Sequence, residues 1–67
     1  MEIETIKDAK GKLLGMIEHQ SNGDEIAKNY LGRILARYSK SSNTTRDVYG
    51  RIVAYGNVVS SYIFKVK

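Results

Sequence analysis

Residues 21–40, SNGDEIAKNYLGRILARYSK, decide the fold because they read in two ways. As a helix, Ile26, Tyr30, Ile34 and Tyr38 recur every four residues with Leu31 and Leu35 beside them. Asn22 and Glu25 fit a capping box, acids lie at the start, and Arg33, Arg37 and Lys40 lie at the end. As a hairpin, Asn29-Tyr30-Leu31-Gly32 is a turn between two apolar runs. An Asx side chain bonds the backbone two residues on, and the Gly takes the left-handed conformation that closes a three-residue loop.

The rest of the chain favours the hairpin. Asp8-Ala9-Lys10-Gly11 and Asp47-Val48-Tyr49-Gly50 have the same form, at spacings of 21 and 18 residues from the middle copy. After each Gly comes a base (Lys12, Arg33, Arg51), then two aliphatics, then a small residue (Gly15, Ala36, Ala54). Strict alternation then puts Leu13, Ile34 and Ile52 on one face with the small residues, and the bases on the other. A small residue at one place in every unit fits sheets or subunits that approach closely there. "HQSNGDE" and "KSSNT" supply the reversals between hairpins. "NVVSSYIFKVK" alternates Val58, Tyr62, Phe64 and Val66 on one face, as a last half-buried strand would, although Val58, Val59, Tyr62 and Ile63 also fit a helical face. The expected fold is all-β: about six or seven short strands in tandem β-hairpin repeats, assembling as a homo-oligomer. Within a single domain 1–67 the units fall at 3–18, 24–39 and 43–56, with a C-terminal strand 58–66. The alternative is α+β with one helix at about 24–39.

The expectation of a homo-oligomer comes from size. A chain of 67 residues buries a modest share of its surface, and small folds add disulfides, a metal or self-association. There is no Cys, and His19 is the sole histidine, so thiolate and histidine-rich metal sites are excluded. Charge is uneven. Residues 1–27 carry −3, while residues 28–67 set eight bases against Asp47 alone, within a net +4. Such asymmetry fits an anionic partner, or the front of one chain meeting the back of another. No apolar signal core or membrane-length stretch is present, so a cytoplasmic protein with no membrane partner is expected.

The repeated D-x-x-G-[KR]-[LIV] unit resembles small bacterial and phage hairpin-repeat proteins of the four-fold β-flower type. The likeness is carried by residues 8–15, 29–36 and 47–57, with "GRIVAYGNVVSSYI" its strongest stretch. It implies a homo-oligomeric β assembly around a rotation axis, and it supplies no catalytic residues.

Chemistry is sparse. Six serines accompany one imidazole in an expected turn, "GKLLG" lacks the features of a phosphate loop, and Glu2 with Glu4 on an edge strand suit solubility. No catalytic residue, metal ligand or cofactor is expected, and the chain reads as a non-enzyme. What remains is base plus aromatic: Arg33, Arg37, Arg46 and Arg51 among Tyr38, Tyr49 and Tyr55, with Tyr30 nearby. Arginine grips phosphate bidentately and tyrosine stacks on bases. The same residues also serve as ordinary strand and edge residues. The function expected is a self-assembling module that recognises a macromolecular or anionic partner (nucleotide, nucleic acid or acidic protein surface) through this surface or intersubunit clefts. The alternative is a phage-type inhibitor or sponge for a nucleotide signal or a nucleic-acid machine. The structural turn residues are Asp8, Gly11, Asn29, Gly32, Asp47 and Gly50.

Overall fold

The computed structural model describes residues 2–65. Six strands form one antiparallel sheet in chain order: β1 (Glu2–Lys7), β2 (Leu13–His19), β3 (Glu25–Asn29), β4 (Ile34–Ser39), β5 (Thr44–Asp47) and β6 (Ile52–Tyr55). A short helix, α1 (Val59–Lys65), follows and lies across β2, β3 and β4. The described residues are therefore mostly antiparallel β with one helix. That helix is not at 24–39, where the chain forms β3, a turn and β4.

Local hydrogen bonding explains why helical spacing loses in that segment. Asn29 Oδ1 accepts the amides of Leu31 and Arg33, each at 2.9 Å. Gly32 donates to the Asn29 carbonyl at 2.9 Å and holds φ at +85°. A left-handed residue cannot continue a right-handed helix, and the Asx bonds fix the reversal. Asp8 bonds the amides of Lys10 and Lys12 in the same way, and Asp47 those of Tyr49 and Arg51.

Each of these hairpins also contains a bulge. Pairing runs from Lys7↔Leu13 to Ile6↔Gly15, from Lys28↔Ile34 to Ala27↔Ala36, and from Arg46↔Ile52 to Thr45↔Ala54. Leu14, Leu35 and Val53 are the residues skipped. An extra residue breaks the alternation of faces, so the strict period-two assignment fails there. Ile34 and Ile52 share a face with Lys28 and Arg46, and lie opposite Ala36 and Ala54 rather than beside them.

The register leaves small residues on one face: Gly15, Ala27 and Ala36. α1 fills the space above them. Ile17, Ala27, Ala36, Val59 and Ile63 form the buried core, with Ile6, Leu14, Leu35, Tyr38 and Tyr62 packed around it. Burying Val59 and Ile63 contributes about 1.5–3 kcal/mol each. At Gly15 and Ala36 the close approach expected of small residues is made by the chain's own helix, whereas Ala54 on β6 lies outside the buried core.

The expected C-terminal strand 58–66 is thus replaced by a helix. Gly56, at φ +92°, turns the chain out of β6. Asn57 Oδ1 then accepts the Val59 amide at 3.2 Å, an Asx turn that leads the chain into the helix. Val59, Tyr62 and Ile63 at i, i+3 and i+4 meet the sheet on one side. Thr45, fully buried on β5, donates to the Gly56 carbonyl at 2.7 Å and accepts the Val58 amide at 3.2 Å, tying the helix start to the sheet. The side chain of Phe64 and the residues Val66 and Lys67 lie outside the described part of that expectation.

Candidate functional site

With α1 on one face, the opposite face of the sheet is open. Ile26, Arg37, Arg46 and Ile52 lie across it as successive cross-strand partners on β3 to β6. Met16 pairs with Lys28 on the same face, and Lys28 is bound to Glu18.

Arg37 and Arg46 are direct partners across β4 and β5, and both are exposed. Like charges placed opposite each other in a sheet repel. Among the described residues neither forms an ion pair. Arg46 Nη1 donates to the Gly50 carbonyl at 3.1 Å, which offsets part of its donor demand without neutralising charge.

A shallow groove of about 260 Å³ is lined by Arg37, Arg46 and Ile26 together with Asp24 and Glu25. Its volume lies just below the usual range for small-molecule pockets. Each of the two acids in the lining has a partner of its own. Asp24 Oδ1 accepts the Lys40 amide at 2.9 Å, and Glu25 pairs with His19 at 3.5 Å. These bonds leave the acids charged, so the lining has a positive part at Arg37 and Arg46 and a negative part at Asp24 and Glu25.

The structure divides the arginines and tyrosines named from sequence into three places. Arg37, Arg46 and Tyr55 lie on the open face, Tyr55 by its pairing with Thr44 and with 79% of its surface exposed. Arg33, Arg51 and Tyr49 sit in or beside the hairpin turns. Arg51 is committed locally: its Nε meets Asp47 Oδ2 at 3.0 Å, and its guanidinium stands 5.3 Å from the Tyr49 ring. Partial burial pushes the Asp47 carboxyl up, but the amides of Arg51 and Tyr49 and the Arg51 guanidinium outweigh it and hold the group below its usual range. Tyr38 faces the helix side, packs against the core and donates to Asn43 Oδ1 at 2.9 Å.

Two groupings escape sequence reading. His19 is not in a turn: it ends β2, with Nε2 3.0 Å from Glu4 and Nδ1 3.5 Å from Glu25. The Glu4 bond raises its pKa, opposed by partial desolvation and reinforced by Glu25 and Glu2. Only the register Glu2↔His19↔Glu25 reveals this cluster. The second grouping is the set of apolar turn tips, where Leu31 and Val48 are more than half exposed. Their signal in the sequence is an apolar pair at the two central positions of an Asx turn.

No protein-family model, curated protein or solved structure matches the chain. No helix among the described residues is long and apolar enough to cross a membrane.

Proposed function

We propose that the protein is a non-enzymatic binding module that takes a phosphate-bearing anion on the open sheet face, with Arg37 and Arg46 as the gripping residues. The observation that carries this reading is their direct cross-strand pairing without an acidic partner among the described residues. An anion between two guanidiniums turns their repulsion into a shared attraction and uses the bidentate geometry arginine offers. Ile26 and Tyr55 supply apolar and stacking surface beside the charge.

Self-association belongs to the same reading. Strands β1 and β6 are the outer strands of the sheet, and Ile3 and Ile52 are exposed on its open face. Three hairpins with the same turn bonds and the same bulge support one unit used three times, arranged as a homo-oligomer. Unpaired edges and a partly apolar face favour covering by further copies.

The test is binding of a fluorescein-labelled oligothymidylate and of ATP at low ionic strength, by anisotropy and thermal shift, with native mass read by light scattering. Binding that falls steeply with salt, and at least about tenfold on Arg37→Ser with Arg46→Ser, is the expected result. Unchanged affinity in that double variant, or no binding to either probe, would overturn the anion site. A monomer at all concentrations would overturn the assembly.

A further inference from the structure

The three Asx turns lie at one end of the sheet, since β1, β3 and β5 run the same way and each feeds its neighbour. Hairpin tips are ordinarily polar, yet two of these present Tyr30-Leu31 and Val48-Tyr49, from 55% to 79% exposed. The acids at this end are turned inward. Asp8 Oδ1 accepts the amides of Lys10 and Lys12, and Asp47 accepts Tyr49 and Arg51 amides as well as the Arg51 guanidinium. Lys10, Lys12 and Arg33 keep their charge facing outward. The far end is opposite in sign: Glu2, Glu4, Asp24 and Glu25 gather there around His19.

We propose that this turn end docks on an anionic lipid bilayer, with Tyr30, Leu31, Val48 and Tyr49 entering the headgroup layer and Lys12 and Arg33 meeting lipid phosphates. The surface is separate from the open-face groove, so the proposal goes beyond the anion site. The apolar side chains stand exposed on two separate turn tips, and a fluid interface moulds to protruding side chains of that kind. Tyrosine is favoured there because its ring is apolar and its hydroxyl stays wet. Bases one or two residues behind the tips stand at the level of the phosphates. The acidic far end orients the molecule by pointing away from the negative surface. A peripheral contact of this kind requires no spanning helix.

The experiment uses sedimentation with vesicles of phosphatidylcholine alone or mixed with phosphatidylserine. The chain has no Trp, so Tyr49→Trp provides a single emission reporter at the tip. Binding to the mixed vesicles at least about tenfold tighter than to phosphatidylcholine, with a blue shift of the reporter, is expected. Leu31→Ser with Tyr49→Ser should lose most of that binding while melting as before. Absence of binding to the anionic vesicles would overturn the proposal. So would binding without a blue shift, which is surface charge alone. Emission already blue in the free protein would show the tips covered by a second copy, and would overturn it equally.

Discussion

Ile63 of the helix stands directly over Gly15 of the sheet: its Cγ2 lies 3.1 Å from where a β-carbon on that glycine would be. The same β-carbon would strike the backbone carbonyl of Lys28, which has no freedom to move aside. Gly15→Val is therefore expected to lift α1 from the sheet and cost about 1–3 kcal/mol or more. Ile63→Ala removes the other half of the contact and is expected to cost about 2–5 kcal/mol. Urea unfolding of both variants checks this, and a wild-type midpoint in Gly15→Val would refute the docking geometry.

Gly50 offers the contrasting case. A β-carbon there would meet nothing within 4 Å, but φ is +83°. Gly50→Val is expected to destabilise through backbone strain alone, by about 1–3 kcal/mol, and Gly50→Asn by less because Asn tolerates the left-handed region. Equal melting points for the two variants would contradict a strain-based cost.

Thr45 carries both of its hydrogen bonds with no exposed surface. Thr45→Val keeps the shape and leaves the Gly56 carbonyl and the Val58 amide without that partner. The expected loss is about 1–3 kcal/mol, with Thr45→Ser much closer to wild type. Hydrogen exchange at the Val58 amide should accelerate in the Val variant and not in the Ser variant.

His19 makes stability depend on pH in a defined direction. Its folded pKa is raised above 6.5, so its contribution is fully present below 6.5 and is lost as pH rises through the raised value. Asp47 is lowered below 3.8, so its contribution is lost only as pH falls through that lower value. Melting at about pH 5.5 and at about pH 8.5 isolates the histidine. The difference between the two should shrink in His19→Gln, and an unchanged difference would assign it elsewhere.

What could be read from the sequence follows how local each determinant is. A β-rich chain is legible because Asn29 and Gly32 act within five residues, and their bonds outweigh the helical spacing of Ile26, Tyr30, Ile34 and Tyr38. The bulges at Leu14, Leu35 and Val53 are hidden, since an extra residue in a ladder leaves no compositional mark. The helix at Val59–Lys65 was concealed for another reason. Val58, Val59 and Ile63 are good strand residues, and only the trough left by Gly15, Ala27 and Ala36 makes a helical face the better fit. Of the candidate site, the arginines stood out as a group. That Arg37 faces Arg46 while Tyr38 faces the helix depends on register, which alternation interrupted by bulges does not yield.

The strand order has a kinetic consequence. Each strand bonds only to the one before and after it in the chain, so every pairing closes a short loop. Loops of this size close quickly, and low sequence separation between contacts speeds folding. The sheet can accordingly grow hairpin by hairpin as the polypeptide leaves the ribosome. The segment that seals its apolar trough is translated after all six strands. For that interval the nascent sheet carries an uncovered greasy face, the moment at which a chaperone or a neighbouring chain has most to gain by touching it.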